Sequence, residues 1–441
     1  MSAAWDATAI ERFDAVDAEL VSIAGSIRVL ANLTWPRELE EIFLAGWRAG
    51  SPSLPRAELA PRDQSSQIEA LEALMARSDR GHPMGNHLYK TAWSYLTAAR
   101  MIEAIGTPAF TEHSIKLYGR PDFIYERQGF ATIDGARAIL EVTDQLQQSD
   151  AVMRTTPDIP AETFAGMLRT RLAAFFVHDE VDVVVDAAMS AKAAAGPKRV
   201  KIQAGAMFSD LDLAQLLNHE AFIHAATSLS GRAQPRLKVL GLGSPRTTRT
   251  QEGLAVFSEL ITYSIDLVRL RRIALRAVAV DAALSGADFI EVFRIYLEGG
   301  QSETDAYNSA QRVFRGGDVR GRVAFTKDGA YLEGLLIVQT FLRKVIADGR
   351  AELIPMLFAG RMTTGDAIEL APLFEDGTLA PARYLPDWIS GLRRLSAYLS
   401  YSLVSGRIKM DVVELDRFLE MDEVLLDEAA GPVEAGEPTP R

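Results

Sequence analysis

The 441-residue chain carries 59 acidic against 47 basic side chains, a net charge of −12, and no cysteine. Disulfides, thiolate catalysis and cysteine-ligated zinc are thereby excluded, and any bound metal must be held by His and carboxylate. With 48% hydrophobic residues it can bury a core of two or three domains, or one large domain with a satellite. No stretch approaches 18 uncharged apolar residues, and Met1 to Phe13 has neither a basic leader nor an apolar core. A cytoplasmic protein with no membrane partner is therefore expected.

Apolar residues at helical spacing (Ile10, Phe13, Val16, Leu20, Ile23, Ile27, Leu30) predict a helix over 5–33, ending near Trp35-Pro36. A Pro-, Ser- and Arg-rich loop from Ser51 to Gln67 leads to further helices over 68–105, interrupted at Gly81 to His87. His82 and His87 stand five apart, with a Pro-Gly segment between them and no adjacent acid in sequence, and read as loop residues. Leu117 to Asp122 closes this region as a turn, and helix is again expected to about residue 175.

At Asp182 to Asp186 an apolar run predicts a strand, followed by a small alanine-rich helix (Ala187 to Ala195) and a Gly196-Pro197 turn. Arg199 to Gln203 alternates polar and apolar as a half-exposed strand does. Val200 to Gln203 is the candidate edge strand, which could hold an extended peptide by main-chain hydrogen bonds; an ordinary edge strand is the alternative. Ser209 with Asp212 forms a capping pair for the next helix, which carries His219, Glu220 and His224 up to Gly231.

Two imidazoles, with Glu252 some thirty residues on in Gln251-Glu252-Gly253-Leu254-Ala255, make three protein ligands and leave a fourth position open, as in a catalytic zinc site. Glu220, beside the first histidine, is then the general base. The usual zincin motif spaces its histidines by four residues; here the spacing is five. Four residues rotate a side chain about 40° past a full helical turn and five rotate it about 140°. A regular helix would thus point His219 and His224 apart, and one inserted residue, a π-bulge between Glu220 and His224, is predicted to restore a common face. A surface helix carrying two unrelated histidines is the alternative.

Thr248 and Gln251 are candidate caps for a helix over about 250–283, whose first turn holds Glu252, with Gly253 leaving room for close helix approach. A glutamate in a first turn also complements the helix dipole without any metal. Between Arg232 and Arg276, nine basic residues face three acidic ones, which favours an anionic substrate; an arginine-bearing solvated face is the alternative. Further on, Arg312 to Gly317 and Thr326 to Gly334 bracket a glycine-bearing loop. A peptidase acting at a chain end needs a cation for the terminal carboxylate and a donor for the oxyanion, and Arg315, Lys327 and Tyr331 are the candidates. Surface charges and a core tyrosine would account for them as well. After Tyr331 helix is expected through Phe358, then closing helices over 385–425 and a disordered acidic tail over 426–441. No Walker A, Gly-x-Ser-x-Gly, helix-turn-helix or finger pattern occurs, so direct nucleic-acid binding is not expected.

On His219-Glu220-x-x-x-His224, Gln251 to Ala255, Arg312 to Gly316 and Thr326 to Gly334, the chain resembles the bacterial QEGLA-motif family, the flavohaemoglobin expression-modulating type, from about residue 10 to 425. That family is similar to the microtubule-associated tyrosine carboxypeptidases, zinc enzymes that remove a C-terminal tyrosine from tubulin. The resemblance implies one zinc per chain at His219, His224 and Glu252, with Glu220 as catalytic base. The tubulin substrate is not carried over, because an acidic protein is poorly matched to a strongly acidic polymer. Together these expectations describe an α+β, mostly helical protein with a zincin-like core and a small sheet beside the active helix. A mainly helical N-terminal region (1–175), a metallopeptidase core with closing helices (176–425) and the tail make up the chain. The activity expected is that of a zinc carboxypeptidase acting on a peptide or protein C-terminus. The alternatives are a zinc hydrolase of small amides or a non-catalytic regulatory protein affecting gene expression. Oligomeric state is not legible.

Overall fold

The computed structural model describes residues 7–125, 129–146, 157–187, 192–196 and 198–405. The longer N-terminal helices are α1 (Ala7–Ala24), α2 (Glu38–Arg48), α3 (Ser65–Arg77), α4 (Pro83–Glu103), α5 (Pro108–Tyr118), α6 (Thr132–Leu146) and α7 (Ala161–Phe175). Then follow α8 (Asp210–Leu216), a π-helix (Leu217–Ala225), α9 (Ala226–Ala233), α10 (Thr248–Ile261) and α11 (Leu267–Ser285). The last are α12 (Phe289–Glu298), α13 (Glu303–Phe314), α14 (Ala330–Ala347) and α15 (Leu392–Ser405). Seven short strands accompany them: β1 (Ile124–Tyr125), β2 (Phe130–Ala131), β3 (Ile159–Pro160), β4 (Asp182–Asp186), β5 (Ala193–Gly196), β6 (Arg199–Gln203) and β7 (Met207–Phe208). The protein is mostly helical with little sheet, as the sequence predicts. Contacts group residues 1–390 into one compact unit and 391–441 into a second, of which α15 is the described helix.

Several local expectations are corrected. The predicted N-terminal helix stops at Ala24, and Val29–Asn32 forms a separate turn after Gly25 and Ser26. His82 is the N-cap of α4, its Nδ1 accepting from Met84 N at 3.1 Å. His87 lies inside that helix, buried beside Asp366, so neither histidine is a free loop residue. The predicted helix over 250–283 is two, since the chain turns at Thr262 to Asp266 before α11. Residues 406–425 and the tail lie outside the described residues.

The sheet differs in a way that matters for function. Ala193 to Ala195, expected as helix, form with Gly196 a strand that pairs antiparallel with β6, while β4 pairs parallel with β6 on its other side. The order β4-β6-β5 makes Val200 to Gln203 a central strand with both main-chain edges occupied. It has no free edge with which to hold a peptide, and the predicted β-augmentation there is overturned. The alternation itself holds: Val200 and Ile202 are buried and pack in one apolar cluster with Phe164, Leu168, Phe208, Leu213, Leu217, Ala221 and Ala225. Burying side chains of the Val, Ile, Leu or Phe type contributes roughly 1.5–3 kcal/mol each, so this cluster fixes α8 and the π-helix against the sheet. A second cluster built on Phe43, Phe289, Phe293, Tyr296, Tyr307 and Phe314 joins α2 to α12 and α13.

Candidate metal centre

The run from Asp210 starts as an ordinary helix with a reciprocal capping box, Ser209 Oγ accepting from Asp212 N and Asp212 accepting from Ser209 N. It passes into nine π-helical residues, Leu217 to Ala225, and Ala226 N donates to the Ala221 carbonyl five residues back. In such a helix residues five apart stack along one face. His219 and His224 accordingly stand with ring centroids 5.0 Å apart and planes at 83°. The five-residue spacing therefore produces convergence, as the predicted irregularity required.

α10 supplies the third group. Its first turn follows a 3-10 turn at Pro245–Thr247, and neither Thr248 nor Gln251 caps it; Thr247 is the N-cap residue, with no side-chain cap. Gln251 instead ties the two motif helices, its Oε1 lying 2.8 Å from Thr227 Oγ1. Glu252 Oε2 stands 3.6 Å from His219 Nε2 and 3.6 Å from His224 Nε2. α10 can lie this deep because a Cβ at Gly253 would meet the Gly334 backbone at 2.2 Å, so the glycines of the two sequence motifs press α10 and α14 together.

Behind His219 stands a residue that the sequence reading missed. Glu259 is fully buried; its Oε1 lies 2.6 Å from His219 Nδ1 and 2.8 Å from Arg269 Nη2, and its Oε2 accepts from Arg269 Nε (2.9 Å) and Gln215 Nε2 (3.1 Å). Burial pushes the Glu259 carboxyl up, but the hydrogen bonds from His219 and Arg269 outweigh it and lower its pKa to about 2. An ionised carboxylate only accepts, so His219 Nδ1 donates and its Nε2 faces Glu252. The available signal was spacing: Glu259 follows Glu252 by seven residues, two helical turns, which puts both on one face of an otherwise apolar helix.

The remaining predicted residues gather on the opposite side of Glu252. Lys327 Nζ is 3.4 Å from Glu252 Oε1 and 5.6 Å from the centre of the Tyr331 ring. The 3-10 turn Thr326–Gly329 that presents Lys327 is clamped by a bidentate Arg312–Asp328 pair, both bonds 2.7 Å, and by Thr326 N donating to Ser114 Oγ at 2.9 Å. The Arg315 guanidinium stands 5.3 Å from the Phe325 ring centre. Burial raises the Glu252 carboxyl, but the Lys327 charge and the contacts with both histidines prevail and hold it well below the usual range.

His219, His224 and Glu252 offer ligand atoms that all lie within 4.8 Å of one another. Among the described residues this is the one such group. Glu252 Oε2 is buried yet makes no hydrogen bond, an arrangement costly for a carboxylate unless a cation completes it. Two imidazole nitrogens and a carboxylate oxygen suit zinc with one position open. In the cation-free geometry burial opposes charging His219, but its contacts with Glu252 and Glu259 outweigh that and raise its pKa to about 10. Glu220 lies on the open side, its side chain 32% exposed against 6% for His219, with Oε1 4.0 Å from His219 Nε2.

A comparison with curated protein sequences found no match. Among solved structures, one from Colwellia psychrerythraea described as a lipoprotein is similar at 14% identity and a TM-score of 0.44. That alignment covers 71% of this chain and 64% of the other, less than two thirds of its length. A family model described as microtubule-associated tyrosine carboxypeptidase matches residues 42–407, a span that contains every motif and site residue above. The chain therefore belongs to the microtubule-associated tyrosine carboxypeptidase family.

Proposed function

We propose that the protein is a zinc-dependent carboxypeptidase of zincin-like architecture, holding one zinc at His219, His224 and Glu252 and releasing the terminal residue of a peptide or protein. The observation that carries this reading is the π-helix, which gives a five-residue His spacing a common face beside a buried carboxylate oxygen with no hydrogen bond. A bound zinc would acidify a coordinated water and polarise the substrate carbonyl.

Glu220 is the general base: it accepts a proton from the attacking water and returns it to the leaving amine. Glu259 holds a proton of His219 on Nδ1, so that Nε2 would be the atom to hold the metal. Lys327 Nζ, beside Glu252 and the Tyr331 ring, would donate towards the oxyanion. Arg315 takes the terminal carboxylate, for which the planar fork of arginine is suited. Because both edges of β6 are occupied, strand addition on β6 itself does not orient the peptide.

The test has two parts. Purified protein should contain near one zinc per chain by elemental analysis, falling sharply in Glu252→Ala, and should release C-terminal residues from peptides as followed by mass spectrometry. Absence of zinc in protein prepared without chelators would reject the site. Zinc with hydrolysis of N-acyl amino acids but of no peptide would replace the carboxypeptidase by a small-amide hydrolase.

A further inference from the structure

The π-helix that brings His219 and His224 together leaves a surplus of acceptors where it ends. Ala226 N donates to the Ala221 carbonyl five residues back, with a second contact to Ile223 O. In α9, which follows, donors reach back four residues, and Ala225 is the N-cap, whose carbonyl takes the first α-helical bond, from Leu229. The carbonyls of Phe222, Ile223 and His224 are thus left with two regular amides, those of Thr227 and Ser228. A carbonyl kept from water and short of a donor costs free energy.

Two side chains supply what the backbone lacks. Thr227 Oγ1 donates to Ile223 O at 2.7 Å, and Arg361 Nη2, from 137 residues away, donates to His224 O at 3.1 Å. A threonine bonding four residues back is common inside helices. An arginine brought from a distant loop to the main chain of a histidine in the site is not a product of local geometry. Arg361 lies between the short helices Leu353–Met356 and Thr364–Glu369, and its own N donates to Leu240 O at 2.7 Å. The segment it is tied to presses on α9: a Cβ at Gly231 would meet Leu240 O at 2.2 Å, and Ser228 Oγ donates to Gly241 O at 2.9 Å. A Cβ at Gly243 would meet Arg361 Nη1 at 2.5 Å, so that glycine makes room for the guanidinium. Among the described residues Arg361 forms no ion pair; burial lowers its pKa, and the charges of Glu252 and Glu220 offset this only in part. The His224 carbonyl is what its guanidinium is hydrogen-bonded to.

We propose that Arg361, with Thr227, is a positioning residue of the metal centre: by holding the exit of the π-helix it fixes the register in which His224 faces His219 and Glu252. This deepens the zinc reading and rests on it. Relaxed to a regular α-helix, the same stretch would turn His224 about 140° from His219 and separate rings that now stand 5.0 Å apart. Residues that only orient a ligand change metal affinity about 10–100-fold without touching the ion.

The experiment uses two variants of the full chain. Arg361→Met keeps the length of the side chain and removes its donors, and Thr227→Val removes the hydroxyl at nearly constant shape. For each, zinc affinity is measured by chelator competition, the visible spectrum is recorded with cobalt(II) in place of zinc, and the stability of the chelated protein is measured by denaturant unfolding. Arg361→Met should bind zinc about tenfold or more weakly than the parent and shift the cobalt bands, which report coordination geometry. A weakened fold with zinc affinity within about twofold of the parent and cobalt bands in place makes Arg361 a packing residue and overturns the proposal. Should Arg361→Met not fold, Thr227→Val carries the same test with the same two outcomes. If the parent itself binds neither ion, the zinc reading falls, and a crystal structure of the folded variant decides the positioning role. A straightened helix with separated rings sustains it, and Leu217–Ala225 unchanged overturns it.

Discussion

Replacement of Glu259 by glutamine tests whether the buried carboxylate acts on the metal position or only on the fold. Its two oxygens receive four donors, two from Arg269 and one each from His219 and Gln215. A glutamine keeps the shape but turns one oxygen into a donor, so one pair of these contacts becomes donor against donor. Arg269 also loses its buried counter-charge, and breaking a buried pair costs about 3–5 kcal/mol. Those terms destabilise the protein with or without metal. A second effect follows only if Glu259 orients His219: removing the partner of a ligating histidine lowers metal affinity about 10–100-fold, or about 1.4–2.8 kcal/mol. Chelator competition gives the zinc affinity, and denaturant unfolding of the chelated protein gives the metal-free stability. Loss of metal-free stability with a zinc affinity within about twofold of the parent would refute the positioning role and leave Glu259 as a structural counter-ion.

Glu220→Gln should retain zinc and lose about 10²–10⁴ of kcat, the usual contribution of a positioned acid–base group; activity surviving with bound zinc would remove Glu220 from the role of base. Gly253→Ala should shift the unfolding midpoint strongly downward, because the new Cβ would meet Gly334 backbone at 2.2 Å, where no side chain can yield. Overpacking of this kind typically costs about 1–3 kcal/mol, and an unchanged midpoint would contradict the packing. Asp366 is held well below the usual carboxylate range: burial raises it, but its contacts with His87 and the bidentate Arg246 prevail. A depressed carboxyl stabilises the fold above its unfolded pKa of about 3.9 and loses that contribution as pH falls through the folded value. Asp366→Asn should therefore destabilise at neutral pH and flatten the loss of stability below about pH 4; an acid limb parallel to that of the parent would exclude the pair as its cause.

Much of the site is written locally. The five-residue His spacing demands an irregular helix if both rings are to meet one ion, and the π-helix supplies it. Ser209 with Asp212 is a cap readable from four residues. Gly253 signals a close approach, although only the fold reveals that Gly334, in another motif, is what approaches. Family membership agrees with the same motifs, which lie inside the matched span.

What the sequence could not decide was pairing at a distance. Ala193 to Ala195 read as helix because alanine favours helix locally, yet pairing with β6 outweighs that propensity and turns the supposed edge strand into a central one. His87 carries no local sign of its buried acid, since Asp366 is 279 residues away and meets it only through packing. Glu259 and Arg276 look like ordinary charges on amphipathic helices, and only the fold puts one behind His219 and the other on the Tyr331 ring. Short-range rules of helix geometry and capping thus determined which residues could act, because they depend on spacing alone. Burial and long-range juxtaposition, which depend on where the chain returns, decided which of them meet.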